Sequence, residues 1–370
     1  APQRFGNEPF FTYDWGDSEI RYAWKTLTIG FGTQAIWLGP AKINPIIHSN
    51  NAPSYSKLDI GLRKQQITLP RLNWYLGNIE TRLWWGYLSE SDYFDNNSGN
   101  DHNLITGFTI AYSPPYFFKG LTLAANRVML TKWDAFDFQS TVNLFVPFSK
   151  LDAGTDDRDQ RASLTISYLL PQVGFEVYFE WGINDFSSIK HFFRNSFSTE
   201  NFTLGTRKNF VFNADIQGEL MLEFTNIECA RDYEFIWPAT FYAHHKISQG
   251  HTNRGQWLGA GLGTGGNSQY LGFTLYYPKG YSRLFVQREA PNRDYIWFLN
   301  RTMPSPSRTE DNAKFKALIS VGTDNYLRLY DHFGFFCSFL YSYIINPTYD
   351  PDAVPDTHNI HISLGPQFLF

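Results

Sequence analysis

Cysteine is almost missing from this chain: two residues, Cys229 and Cys337, in 370. Cys229 reads as a loop residue and Cys337 as an outward strand position, so a disulfide would have to join two different environments. Long apolar runs are missing too. None reaches the ~18 residues of a membrane helix, and the densest stretch, 333–345, is broken by Gly334, Ser338 and Ser342. The first ten residues hold Gln3, Arg4, Asn7 and Glu8, which is not a signal peptide, so the chain reads as processed or trimmed. Charged residues are 18% of the chain, below the ~25% of an average soluble domain. The formal net charge of −4 leaves no general basic footprint, and no nucleic-acid partner is expected. The glycine-rich run from Gly259 to Gly265 is followed by no P-loop lysine, opens no helix and reads as a flexible outer loop. No cofactor is expected.

Aromatic residues are abundant. They make up 18% of the chain, with 11 Trp, 22 Tyr and 34 Phe. The mean hydropathy of −0.34 looks soluble, but barrel strands alternate apolar and polar residues, which an average conceals. The alternation itself is plain. Val173, Phe175, Val177, Phe179 and Trp181 share one face, and Glu176, Tyr178 and Glu180 the other. Leu164, Ile166, Tyr168 and Leu170 oppose Ser163, Thr165 and Ser167. Leu220, Leu222 and Phe224 oppose Glu219, Met221 and Glu223, and Leu271, Phe273, Leu275 and Tyr277 oppose Gly272, Thr274 and Tyr276. Ala313, Phe315, Ala317, Ile319 and Val321 oppose Lys314, Lys316 and Ser320. At the end of the chain Ile360, Ile362, Leu364, Pro366, Phe368 and Phe370 oppose His361, Ser363, Gly365 and Gln367.

Alternation alone fits a soluble β-sandwich as well as a barrel. Connection lengths separate the two. Very short links fall at Pro171-Gln172, Ile216-Gln217, Pro278-Lys279-Gly280 and Gly322-Thr323-Asp324-Asn325. Long ones fall around 38–55, 89–102, 132–160, 185–205, 229–267, 292–311 and 346–356. Short turns at one rim and long loops at the other are the asymmetry of bacterial outer-membrane barrels, whose long loops face outside. The expected fold is all-β: a closed transmembrane antiparallel β-barrel in a single domain over residues 1–370, with a terminal aromatic at the periplasmic rim. The strands count to about 15 or 16, depending on whether 4–13 is one, and such barrels close with an even number. Strand-end aromatics (Trp84, Trp85 and Tyr87; Tyr341 and Tyr343; Phe368 and Phe370) read as interfacial girdles.

Two loops carry a family resemblance. Residues 37–61 run from Trp37 through Gly39-Pro40 to Ser49-Asn50-Asn51-Ala52-Pro53 before the next strand. Residues 223–273 carry Glu223-Phe224-Thr225, Cys229, Tyr242-Ala243-His244-His245 and Arg254-Gly255-Gln256-Trp257-Leu258-Gly259. This order resembles the Wzi family of capsule-assembly proteins. No Arg stands between Ala52 and Pro53, and Ala260 stands where the family shows a His. The resemblance covers most of the chain. It implies a barrel of about 16–18 strands with a small periplasmic helical bundle, which lies upstream of Ala1 or is missing in this member. It also implies an outer-membrane, non-enzymatic, lectin-like protein that binds capsular polysaccharide or exopolysaccharide and helps hold it at the cell surface. Outer-membrane lipids, lipopolysaccharide and other envelope assembly proteins are its expected neighbours.

The loop chemistry suits sugars. Pyranose faces stack on Trp and Tyr, while Asn, His and Arg bond hydroxyls and pair acidic groups. The candidates are Trp37, His48, Asn50, Tyr55, Trp133, Trp237, Tyr242, His244, His245, Arg254, Trp257, Arg293, Tyr295 and Trp297. For any single one of them, packing of loop on loop is the simpler role. No metal site is expected: adjacent His244 and His245 point opposite ways on an extended chain, and Asp152, Asp156, Asp157 and Asp159 lack EF-hand spacing and read as a solvated loop. The inward Glu176, Glu180, Glu219 and Glu223 read as lumen ion pairs with Arg or Lys on neighbouring strands. Two rival functions stand beside the lectin. A porin or substrate-selective channel needs an open lumen, whereas loops 132–160 and 229–267 filling it favour the lectin. A hydrolase needs a converging carboxylate or His pair.

Overall fold

The computed structural model describes residues 15–95, 97–115, 118–135, 141–142, 144–145, 158–184, 200–229, 241–244, 246–294, 296, 314–350 and 352–368. The strands are β1 (Glu19–Trp24), β2 (Leu27–Gly32), β3 (Lys57–Leu69), β4 (Trp74–Ser89), β5 (His102–Ser113), β6 (Leu121–Lys132), β7 (Arg158–Leu170), β8 (Phe175–Asn184) and β9 (Glu200–Val211). They continue with β10 (Gln217–Asn226), the small hairpin β11 (Thr252–Asn253) and β12 (Gln256–Trp257), then β13 (Asn267–Tyr277), β14 (Gly280–Ala290), β15 (Ala317–Tyr330), β16 (Phe333–Ile345) and β17 (Thr357–Phe368). All but the hairpin form one 15-stranded sheet in chain order, each strand antiparallel to the next. Links alternate in length. The strand ends joined by residues 25–26, 70–73, 114–120, 171–174, 212–216, 278–279 and 331–332 lie at one rim, and the strand ends joined by longer stretches lie at the other.

Register fixes the two faces. Glu180 lies opposite Thr203 and Thr165, Glu223 opposite Gly205 and Tyr270, and Asp59 opposite Trp84 and Gly30. These residues lie on one face, and its polar members are buried: Asp59, Glu180 and Thr203 are 0% exposed. The other face presents Ile29, Ile60, Leu164, Ile166, Leu222, Phe224, Leu271, Phe273, Ile319, Val321, Ile360 and Ile362, all exposed. A water-soluble sandwich would bury the greasy set. Here the polar face is inside and the apolar face outside, the inversion required of a barrel in lipid. The sheet curls round its polar face, because the β2–β3 loop reaches β8 and β10 while the loop after β10 reaches the end of β4.

Several expectations need correction. Gly322-Thr323-Asp324-Asn325 is not a turn: β15 runs through it and the turn falls at Asp331-His332. Its turn-like composition has another cause. Gly322 leaves room for the Phe285 ring, and Asp324 accepts from Ser338 at 2.8 Å. Trp84 is not a girdle residue, since it points inward with 0% exposure, whereas Trp85 and Tyr87 lie on the outer face. Asp159 is no solvated loop residue but sits in β7, buried and 2.8 Å from Arg161. The candidate strand 4–13, the other three loop aspartates and Phe370 lie outside the described residues. Neither cysteine is in a disulfide, with Cys229 in a connection and Cys337 on the outer face of β16.

A substitution tests the inversion. Leu222→Arg, on the outer face, is expected to cost about 2–4 kcal/mol if the site lies near the bilayer midplane. The measurement is reversible urea unfolding in liposomes. Unchanged stability would place Leu222 in the lumen.

Candidate functional site

The lumen is filled by two connections, residues 33–56 and 241–266. A backbone inside a barrel must find partners for its N–H groups, because it has left water and joins no ladder. Wall carboxylates supply them. Glu223 accepts the amides of Lys42 (2.7 Å), Ile43 (3.1 Å) and Asn44 (2.8 Å), and also the Tyr178 hydroxyl (2.7 Å). Glu180 accepts the amide of Ile46 at 3.1 Å, and Thr203 donates to the Asn44 carbonyl at 3.1 Å. Sequence reasoning assigned all four inward glutamates to ion pairs. Among the described residues only Glu176 and Glu219 make them, both with Arg207, while Glu180 and Glu223 hold the plug instead. Their place on the inner face was visible, but the loop that would meet them was not.

The second connection locks the first. The Tyr242 hydroxyl donates to the Ile46 carbonyl (2.6 Å) and accepts the Ala260 amide (2.8 Å). Its ring stacks between His251 (5.5 Å) and Trp257 (5.4 Å). Gly259 permits this closeness, since a Cβ there would strike the Ile46 carbonyl and the Tyr242 hydroxyl. Ser49 bonds the Leu258 carbonyl through its amide (2.7 Å) and the Gly259 carbonyl through its hydroxyl (2.7 Å). Asn253 takes the Ser89 amide (3.0 Å) and gives to the Pro53 carbonyl (2.9 Å), fastening the β11–β12 hairpin to the rim of β4. Ile36, Leu38, Ile46, Ile47, Tyr242, Trp257, Leu258, Ala260 and Leu262 form one apolar cluster with Trp84, Ile105, Val128 and Leu130 of the wall. Residues 259–265, expected as a flexible outer loop, therefore lie largely buried within the plug. A lumen blocked by loop 132–160 as well would favour the lectin, but the described residues 141–142 and 144–145 do not enter it. Thr141 accepts from the outward Trp85 indole (2.9 Å) and Leu144 from Arg127 (3.3 Å), so this piece lies against the outer face.

The candidate residues now divide. His48, Tyr55, Tyr242 and Trp257 are buried in the plug. Trp37 is 42% exposed with its indole N–H on the Ala41 carbonyl (3.0 Å), and Asn50 and Arg254 are exposed. His244 is half-buried, accepting the Lys246 (3.3 Å) and Ile247 (3.2 Å) amides at Nδ1. Arg293 pairs with Glu228 (3.2 Å) and lies over the Phe315 ring (4.4 Å). Trp133 is half exposed and meets Tyr87 edge-on at the rim (4.7 Å). Trp237, His245, Tyr295 and Trp297 lie outside the described residues. Among the described residues no group of three or more His, Cys, Asp or Glu stands close enough to hold a metal. The exposed candidates are thus Trp37, Asn50 and Arg254, and Arg254 stands at the long-loop rim with its amide on the Ser89 carbonyl at the end of β4 (2.7 Å).

The two buried imidazoles make the plug acid-sensitive. His48 donates from Nδ1 to the Ile36 carbonyl (2.7 Å) and accepts the Tyr55 hydroxyl at Nε2 (2.7 Å), and burial pushes its pKa down to about 4. His251, packed on Tyr242 with Nε2 2.7 Å from the Ile47 carbonyl, is pushed well below its usual value, again by burial. A depressed imidazole contributes stability that is full above the unfolded pKa of ~6.5 and is lost as pH falls toward the folded one. For His48 the loss approaches about 3 kcal/mol. The protection factor of the Ile46 amide, referred to intrinsic exchange at each pH, is expected to be high at neutral pH and to fall steadily from about pH 6.5 to 4. Protection that does not change over that range would refute the assignment. Glu223→Ala removes the acceptor for three amides, each orphan costing ~1–3 kcal/mol. Protease cleavage within 38–50 is expected in this variant and not in the native protein.

A family model for capsule assembly protein Wzi matches residues 12–293. No curated protein sequence matches the chain significantly. Among solved structures it is similar to Wzi of Escherichia coli, described as an outer membrane protein involved in group 1 capsule assembly and a carbohydrate-binding β-barrel. The TM-score is 0.69 at 15% identity, over 96% of this chain and 70% of that one. At that identity the likeness shows the fold, a β-barrel.

Proposed function

Because the chain belongs to the Wzi family of capsule assembly proteins, we propose that it is a single-domain outer-membrane barrel that binds capsular polysaccharide or exopolysaccharide and holds it at the cell surface. The long-loop mouth faces outside, and the short turns face the periplasm. The observation that carries this reading is the plug. Glu180 and Glu223 accept the backbone amides of residues 42–44 and 46, so the mouth is a rigid surface and not the entrance of a wide channel. This favours a binder over a porin. The same engagement leaves neither carboxylate poised as an acid–base partner, which supports a non-enzymatic role.

Trp37 offers an aromatic face, and Asn50 and Arg254 offer hydrogen bonds to hydroxyls and acidic groups. The buried candidates act behind them by fixing loop shape. Lipids and lipopolysaccharide surround the apolar wall, and other envelope assembly proteins are proposed to dock at the rims. Trp37→Ala combined with Arg254→Ala is expected to lower polysaccharide retained on cells by about 5–10-fold, the scale of one or two interface hot spots. Heat-modifiable migration of the barrel should stay normal. Full retention would remove this mouth as the site.

A further inference from the structure

One part of the inner wall departs from the polar lining expected of a lumen. Tyr276 of β13 lies opposite Tyr281 of β14, Tyr281 opposite Tyr326 of β15, and Tyr326 opposite Phe336 of β16. These four rings share the inner face with Thr274, Arg283, Asp324 and Ser338 one rung deeper. They stand close to the short-turn rim and outside the apolar cluster of the plug. Ring centroids of Tyr276 and Tyr281, and of Tyr281 and Tyr326, are 6.2 Å apart. Tyr276 is 39% exposed, and the other three are partly exposed. Across β16, the row ends at Gly365, whose missing side chain leaves open space. A cavity of about 760 Å³ opens here, lined by Tyr281, Tyr326, Phe336 and Gly365 with Arg328 and Gln367.

Four aromatic rings facing water have a cost unless something covers them. Their setting narrows what that is. On the deeper side Arg283 donates to Thr274 (3.3 Å) beside Asp324, and on the rim side stand Arg328 and Gln367. An apolar helix would demand a greasy border, but this row is bordered by donors and acceptors on both sides. A pyranose chain has the matching pattern: C–H faces that rest on aromatic faces, and hydroxyl edges that hydrogen-bond to Arg, Asp and Gln. Three strand spacings of ~4.8 Å make the row long enough for a short oligosaccharide.

We propose that this aromatic row is a second carbohydrate-binding surface, on the opposite side of the plug from the outer mouth, taking a linear pyranose chain from the periplasm. The ligand class and the orientation rest on the reading above, but the location is independent of it.

The test is calorimetric titration of the purified full chain in detergent. One arm uses oligosaccharides from partial acid hydrolysis of the producing cells' surface polysaccharide. The other uses glycan strands from their peptidoglycan. With the outer mouth removed by Trp37→Ala and Arg254→Ala, the protein is expected to bind in one arm, which identifies the source. Tyr281→Ala with Tyr326→Ala should weaken that binding by about tenfold or more, whereas Tyr281→Phe with Tyr326→Phe, which keeps the rings, should stay within about threefold. Heat-modifiable migration checks folding in both. Trp37→Ala with Arg254→Ala should leave a binding event of native strength at the tyrosine row. Loss of all binding in that outer-mouth variant, or native affinity in the double-alanine variant, overturns the second site without touching retention on cells. No binding in either arm also overturns it.

Discussion

The structure turns on a carboxylate meeting backbone amides inside a membrane barrel. A loop cannot enter a lumen simply because it is apolar. Its N–H groups must be satisfied where neither a ladder nor bulk water will serve. Glu223 takes three consecutive amides of the first plug loop and Glu180 takes a fourth. A carboxyl group has two acceptor oxygens, so one side chain can serve several amides at once. It also concentrates the restraint on two wall strands, β8 and β10. Everything placed above residues 42–46 inherits its position from that contact: the Tyr242 keystone, the Trp257 stack and the hairpin fastened to β4.

This arrangement explains how the aromatic wealth of the chain is distributed. Aromatics on the outer face meet lipid. Those in the plug stack on one another and give it a core of its own, with Trp84 of the wall reaching in to join them. Among the described residues, few are left at the outer mouth. In the proposed role, recognition there falls to a small exposed set mounted on a rigid base, which suits a polymer presenting repeated shallow surfaces. Pre-organised loops lose little conformational freedom on binding.

The wall was legible in the sequence because period-two patterning survives averaging over every strand. Val177 and Glu176, or Leu222 and Glu223, show which side is which without any coordinate. Alternating link lengths gave the rims. The plug was not legible, for a definable reason. Its residues have no period, and its contacts join positions far apart in sequence, such as Lys42 with Glu223 and Ser49 with Gly259. Turn-like composition misled in two places. At 322–325 the small and polar residues serve lumen packing, and at 259–265 glycine serves close backbone approach. The candidate list could not separate Tyr242, which is buried in the plug, from Trp37, which is exposed. Burial alone divides them.

The most direct test of the plugged barrel is electrical. Native protein inserted in a planar bilayer at neutral pH should seal the lumen and give no stepwise ion conductance. Stable, porin-sized steps from the native chain under those conditions would show an open pore, and the account of a carboxylate-held plug would be wrong.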